Sequence, residues 1–415
     1  MTNWLDDFHW RGLINSITNE DKLKQFIDSK EAAAYVGFDP SAASLHLGNY
    51  VMIMVVKRLN QCGVKAYALV GGATGMIGDP SGKSSERVLL DENTILKNKQ
   101  AIVDQLRKYA SPYILDNYDH FKDMNFLTFL RDVGKYVNVN YLLEKEIIKN
   151  RLETTGISYT EFSYNLIQSY DFYKLYNELN IHMQIGGSDQ WGNITAGIEM
   201  IRKIDGDDNS AVGMTINLLT NSEGKKFGKS EKGAIFLDKN LTSPYEMYQY
   251  LINQPDSEVI KLLKVFTLLS REEIENIEKQ HLENPAKRIA QSELAKTVVS
   301  DIHGVDELNN VIDISNKLFK GDISSLSADS LKQALNNVPS STLPNENYNV
   351  VDFLVTSQII PSKTKARELV QEGAISINGI KIDSLEMTIN QSNSYNDEFT
   401  VVRKGKKNYF IVKWN

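Results

Sequence analysis

Apolar positions in the first half of the chain fall into short blocks separated by longer amphipathic stretches. Residues 34–38 and 66–70 are apolar runs that end on Asp39 and Gly71, the pattern of parallel strands buried on both faces. Between them, 47–61 leaves room for a crossover helix. The pattern returns at 181–186 and 213–219, and helical periodicity fills 94–110 and 159–179. This alternation predicts an α/β domain over residues 1–220, with a doubly wound, parallel, Rossmann-like sheet.

The pattern then changes. Ser243, Pro244 and Glu246 spell the cap, first-turn proline and N3 glutamate of a helix start, and Ser270 with Glu273 repeats the capping-box spacing. Helical periodicity runs on to Phe319, so 221–335 reads as a basic loop followed by an α-helical domain. The Asn-, Ser- and Pro-rich stretch 336–349 reads as a linker. In 350–415, Ser362 caps a short helix over 363–371 and Gly373 takes the C′ position. Ile375, Ile377, the turn Asn378-Gly379, Ile380 and Ile382 then predict a type I′ hairpin, hence a small α+β domain.

Composition narrows the chemistry. The single cysteine, Cys62, excludes an internal disulfide and a cysteine-rich zinc site, and the six histidines show no metal-ligand spacing. The longest unbroken apolar stretch, 51–56, is too short for a membrane span, and the first dozen residues lack the layout of an export signal. A reducing, cytoplasmic setting is expected. The net charge of −7 is unevenly spread: 361–415 holds nine Lys/Arg against six Asp/Glu, a balance of +3 that leaves −10 on the remainder. That asymmetry fits a basic RNA-contacting tail on an acidic body.

Two constellations suggest phosphate chemistry. After the first strand come Gly37, Asp39 and Ser41, then His46-Leu47-Gly48-Asn49, at a helix N-terminus whose free N–H groups attract anions. His46 and Asn49, three apart, are expected on one helical face, with Gly48 letting a flat ring approach the backbone. The second is Lys226-Phe227-Gly228-Lys229-Ser230, in a Gly- and Lys-rich loop over 221–233 suited to clamping a polyphosphate. The glycine run at 71–82 is not a P-loop, because Ile77 stands where the first glycine is required. It reads instead as a strand-end loop that places Asp79 in the crevice. Tyr164, Gln168 and Asp171 form one polar stripe at i, i+4 and i+7 of the 159–179 helix.

With both motifs in this order, the chain resembles class I aminoacyl-tRNA synthetases, whose paired signatures are HIGH and KMSKS, and more specifically bacterial tyrosyl-tRNA synthetases. The resemblance runs nearly end to end and includes Gly71 to Lys83, Phe129 to Lys135, and the highly specific run Gln184-Ile185-Gly186-Gly187-Ser188-Asp189-Gln190-Trp191-Gly192-Asn193. It implies ATP as substrate with Mg²⁺ and no protein-held metal, tRNA and L-tyrosine as partners, and a homodimer. By the same resemblance, Tyr35 and Asp171 meet the tyrosine hydroxyl. Asp79, Gln168 and Tyr164 meet the ammonium, while Asp39, Asp189 and Gln190 hold ribose and the reacting carbonyl. His46, Lys226, Lys229 and Ser230 carry catalysis on the phosphates, the ATP site adding Gly37, Ser41, Gly48 and Asn49. Lys83 and Arg87 are candidate pyrophosphate contacts.

The terminal module resembles a small RNA-binding fold shared with a ribosomal protein. Lys363, Arg367, Arg403, Lys404, Lys406 and Lys407 are its expected phosphate contacts. Three positions depart from the common pattern: Val36, Ser41 and Asn49 stand where cysteine, threonine and histidine are frequent. Within the same fold the tryptophanyl enzymes are the alternative, disfavoured by Tyr35, Asp171 and the terminal module. A non-catalytic RNA-binding descendant is disfavoured by the intact His46, Asp79, Lys226 and Lys229.

Overall fold

The computed structural model describes the chain outside residues 1–3, 30, 82–89, 221–226, 231–232, 321, 336–337 and 406–407, and the backbone alone at 146–147 and 229–230. It divides into two compact units, one of residues 1–241 and 252–298, the other of 242–251 and 299–415.

The first unit is built on a six-stranded sheet: β1 (Ile14–Ile17), β2 (Ala33–Phe38), β3 (Lys65–Val70), β4 (Ile114–Asp116), β5 (Met183–Gly187) and β6 (Val212–Ile216). Their spatial order is β1-β6-β5-β2-β3-β4. All neighbours are parallel except β1, which runs antiparallel to β6. Helices Leu47–Gln61, Glu92–Tyr109, Tyr159–Leu179 and Trp191–Asp205 make the crossovers. Helix cover on both faces explains why β2 and β3 are apolar almost throughout. From β2 the chain steps outward to β3 and β4 on one side, then returns to β5 and β6 on the other. The order therefore reverses between β2 and β5, and a crevice opens there above the carboxyl ends of the strands. Strands β1 and β4, four and three residues long, carry too few alternating positions to be recognised from the sequence.

Two arginines fix the stretch 252–298 within this unit. The buried Arg58 on helix Leu47–Gln61 donates through Nη2 to the carbonyls of Lys264 (3.0 Å), Val265 (2.8 Å) and Thr267 (2.6 Å). Arg11 donates to Lys264 and Leu269 at 2.8 and 2.7 Å. Those carbonyls lie at and just beyond the C-terminus of helix Asp256–Phe266, which has no intrahelical donors for them and gains from positive charge.

The second unit centres on a five-stranded sheet in the order Ile380–Lys381, Ile375–Ile377, Phe399–Lys404, Asn408–Trp414, Ser340–Leu343. Its strands alternate cleanly. Val402, Val412 and Trp414 face the helices Val350–Thr356 and Lys363–Gln371, while Phe399, Val401 and Ile411 pack on Ile314, Leu331 and Leu335. The hairpin turn has Asn378 and Gly379 at φ of 49° and 86°, as a type I′ turn requires, and Ser362 caps its helix through Lys365 N–H.

Two expectations about organisation need correction. The 336–349 stretch is not a bare linker: Ser340–Leu343 pairs in parallel with Ile411–Trp414, and Leu343 is buried. Serine and threonine mark turns by composition, but ladder hydrogen bonds come from the backbone and accept them. The helical region 221–335 is not one body either, since 252–298 groups with the first unit and 299–335 with the second. Caps and periodicity locate helices without naming their neighbours.

Replacing Arg58 by Met should destabilise the first unit by about 2 kcal/mol or more, because the Val265 carbonyl loses its side-chain donor and those of Lys264 and Thr267 keep Arg11 alone. Urea unfolding followed by tryptophan fluorescence checks this; a midpoint equal to wild type would show that the carbonyls find other partners.

Candidate active site

The crevice above β2 and β5 opens into a cavity of about 400 Å³, within the range of small-molecule sites. Its wall is laid down by strand ends. At the end of β2, Asp39 accepts from Thr74 Oγ1 on Oδ1 (2.7 Å) and from Tyr164 Oη on Oδ2 (2.9 Å). Gly71, at the end of β3, makes this possible, since a Cβ there would lie 2.0 Å from Asp39 Oδ1. The loop continues through a helical turn, Thr74–Ile77, to Gly78 at φ 87° and then the buried Asp79. Asp79 accepts from Ser81 N–H (2.9 Å) and Gln190 Nε2 (2.6 Å). Gln190 in turn accepts from Asn193 (3.0 Å) and Gln168 (3.4 Å).

The polar stripe of helix Tyr159–Leu179 forms as its spacing predicts. Tyr164 reaches Asp39, Gln168 reaches Gln190, and Asp171 faces the inner end of the cavity, 1% exposed. Asp171 Oδ1 lies 2.6 Å from His120 Nδ1, and Oδ2 lies 3.4 Å from Asn117 Nδ2. A carboxylate offers acceptors alone, so Nδ1 carries the hydrogen. Burial pushes the Asp171 carboxyl up, opposed by the His120 hydrogen bond and charge. Burial also pushes the Tyr35 hydroxyl well up, reinforced by the Asp171 charge, and keeps it a protonated donor.

Around this cavity, three buried polar atoms have no partner among the described residues: Tyr35 Oη, Gln168 Oε1 and Gln184 Oε1. Orphans of this kind are rare in folded proteins and mark a place where a ligand or water completes the network.

At the other end stand the two motifs. His46 is not on a helical face with Asn49 but is the N-cap of helix Leu47–Gln61, in extended conformation. The Asn49 side chain accepts from His46 N–H at 3.1 Å. The cap explains the departure from the expectation: His46 leaves the helix before its first turn. The ring that lies over Gly48 is that of His46 itself, since a Cβ on Gly48 would meet His46 Cε1 at 2.8 Å. Gly228, at φ 84°, packs against the same backbone, its own Cβ position 2.8 Å from Gly48 N. A ladder secures the approach: Leu47 N–H to Ile235 O (2.9 Å), Leu237 N–H to Leu45 O (2.8 Å) and Ile235 N–H to Gly228 O (2.8 Å). The Phe227 ring packs tilted against that of Phe266, 5.2 Å between centroids. Two segments far apart in sequence are thus joined by backbone.

Gly37, Ser41 and Asp189 also line the cavity. Lys83, Arg87, Lys226, Lys406 and Lys407 lie outside the described residues, and Lys229 and Ser230 are described in backbone only. In the second unit, Lys363 pairs with Asp352 at 2.6 Å, Arg403 donates to Ser376 at 3.3 Å, and Arg367 and Lys404 are half-buried or exposed on the same module. Asn117, His120, Gln184 and Asn193 were not singled out as site residues by the sequence. Asn117 and His120 follow β4, and the rule that strand ends face the crevice would have found them had that three-residue strand been recognised.

Comparison with known proteins agrees with this geometry. The family model for class I tRNA synthetases (W and Y) matches residues 28–320, and that for the SYY-like C-terminal domain of tyrosine–tRNA ligase matches 330–412. The chain is 54% identical to the tyrosine–tRNA ligase of Ureaplasma urealyticum serovar 10 over 100% of both chains. It is 46% identical to that of Geobacillus stearothermophilus over 99% of each. Among solved structures, a C-terminally truncated mitochondrial tyrosyl-tRNA synthetase of Aspergillus nidulans superposes with a TM-score of 0.70 at 30% identity, covering 77% of this chain and 95% of that one. With a reversing parallel sheet, a helix N-terminus and a Gly-Lys loop meeting at one crevice, and matches of this extent, the chain belongs to the class I tRNA synthetases of the tryptophan and tyrosine family.

Proposed function

We propose that this chain is a tyrosine–tRNA ligase. The tyrosine carboxylate attacks the α-phosphorus of ATP, pyrophosphate leaves, and the 3′-terminal hydroxyl of tRNA then displaces AMP from the tyrosyl-adenylate. One observation carries the choice of amino acid: the inner end of the cavity holds a hydroxyl and a buried carboxylate together. Tyr35 Oη lacks a partner and Asp171 is held from behind by His120 and Asn117, so a phenol hydroxyl finds a donor and an acceptor there. An indole N–H would use the acceptor and leave Tyr35 orphaned. The full-length identity to tyrosine–tRNA ligases supports the same choice.

For the described residues the remaining roles are supported by position, and for Lys83, Arg87, Lys226, Lys229 and Ser230 by the family resemblance alone. Gln168 Oε1, itself orphaned, joins Asp79 and Tyr164 as acceptors for the ammonium group. The carboxylate nucleophile is already an anion, so the site needs charge placed on phosphate more than a general base. His46 and the helix N-terminus it caps provide this, with Lys226, Lys229 and Ser230 of the loop that Gly228 anchors. Asp39, Asp189 and Gln190, with Gly37, Ser41, Gly48 and Asn49, take the nucleoside and the reacting carbonyl. Magnesium enters with ATP as part of the substrate. Lys83 and Arg87 contact pyrophosphate.

The reading extends to partners. The basic residues of the terminal module contact tRNA phosphates. A homodimer is supported by the exposed Phe126, Leu127, Val139 and Tyr159, carried on helices whose inner faces share one small core. Among the described residues no helix is long and apolar enough to cross a membrane, and a cytoplasmic location fits the single cysteine.

Two outcomes follow. Asp171→Asn should weaken tyrosine binding at least about tenfold, the worth of one charge-assisted hydrogen bond; equilibrium binding at an unchanged Kd would place the phenol elsewhere. For the terminal module, a cut near Pro344 would strip Ser340–Leu343 of its sheet partner and bare Ile314 and Leu331, so charge reversal is the cleaner test. Lys363→Glu, Arg367→Glu, Arg403→Glu and Lys404→Glu together should cut tRNA charging steeply while tyrosine-dependent pyrophosphate exchange stays within a few-fold. The salt dependence of tRNA binding should become shallower. Unaltered charging in that variant would show the module to be structural.

A further inference from the structure

The carboxylate that would receive the phenol is itself controlled by a residue outside the cavity wall. His120 follows β4 in the short helix Tyr118–Phe121 and keeps 15% of its side chain exposed, while Asp171 keeps 1%. Their 2.6 Å contact occupies one carboxylate oxygen. The other has only the long Asn117 bond of 3.4 Å and so retains acceptor capacity toward the cavity.

The charged groups around the pair are otherwise matched. In the same turn Asp119 pairs with Lys122 at 2.7 Å, and at the end of β4 Asp116 pairs with Lys99 of helix Glu92–Tyr109 at 2.8 Å. From β2 comes Tyr35, and from helix Tyr159–Leu179 comes Tyr170, whose ring sits 5.8 Å from Phe121.

We propose that His120 is a positioning residue that holds Asp171 as an oriented, charged acceptor for the substrate hydroxyl, and thereby sets the discrimination of tyrosine from phenylalanine. The physical argument is one of asymmetry. A buried anion that loses its hydroxyl partner is costly, whereas a protonated carboxyl in the same place is far less so. Phenylalanine is therefore rejected most strongly when Asp171 is ionised. Without His120, burial prevails and the carboxyl takes up a proton at higher pH. In that variant, tyrosine affinity present at alkaline pH is lost as pH falls, and the loss begins nearer neutrality than in the wild type.

This inference rests on the tyrosine reading, and the test separates the two. Pyrophosphate exchange by the full chain is measured from pH 6 to 9 with tyrosine and with phenylalanine, for wild type, His120→Leu and His120→Asn. Asparagine can place an N–H near the position of Nδ1. His120→Leu should raise KM for tyrosine about tenfold or more, with a smaller change in kcat. It should lower the tyrosine-to-phenylalanine ratio of kcat/KM, and shift the acid limb of tyrosine kcat/KM upward. His120→Asn should recover part of the ratio. The ratio is independent of the fraction of folded enzyme, so partial misfolding does not obscure it. A wild-type ratio and acid limb in His120→Leu overturn the role of His120 while leaving the tyrosine reading intact. So does a loss shared equally by kcat and KM and by both variants, the signature of a structural residue. A wild-type enzyme that prefers another amino acid overturns both.

Discussion

An ionised carboxylate in the apolar interface between a helix and a sheet is costly unless hydrogen bonds surround it. Asp171 imposes that constraint on this molecule, and the first unit is arranged to meet it. The helix Tyr159–Leu179 supplies the acid, the segment after β4 supplies Asn117 and His120, and β2 brings Tyr35 alongside. These three elements come from separate parts of the chain and meet because the strand order reverses between β2 and β5. The network is complete on its outer side and open toward the cavity. On that open side Tyr35 Oη has no partner among the described residues, and Asp171 Oδ2 has only the long Asn117 bond.

The reactive end of the cavity obeys a different constraint, close backbone approach. A Cβ on Gly228 would lie 2.8 Å from Gly48 N, one on Gly48 would meet the ring of His46, and the Leu45–Leu47 and Ile235–Leu237 segments exchange hydrogen bonds beside them. This contact joins the segment around Gly228 to a helix N-terminus through backbone. A side chain at Gly228 would push the two segments apart, whereas one at Gly48 would first meet the ring of His46.

How much of this was readable in the sequence follows from the strength of each local signal. Helices 47–61 and 159–179 are long; the first fills the room left for a crossover between two strands, and the second falls where helical periodicity places it. The stripe Tyr164, Gln168 and Asp171 follows from helical geometry alone. His120 and Asn117 escaped because β4 has three residues, too few to show alternation. The strand Ser340–Leu343 escaped because its serines and threonine look like a loop, although parallel pairing uses only their backbone. The division of the helical region escaped because a helix's apolar face does not name its partner. The two capping readings differ instructively: Ser270 and Glu273 form the box as spelled, whereas His46 and Asn49, read as one helical face, form a cap.

The central claim is that the paired hydroxyl and carboxylate at the inner end of the cavity select the substrate. Pyrophosphate exchange by the intact chain, measured with each of the twenty amino acids in turn, tests it most directly. The account predicts exchange with tyrosine far above every other amino acid, with phenylalanine rejected despite its smaller size. Exchange with phenylalanine or tryptophan equal to that with tyrosine would contradict it.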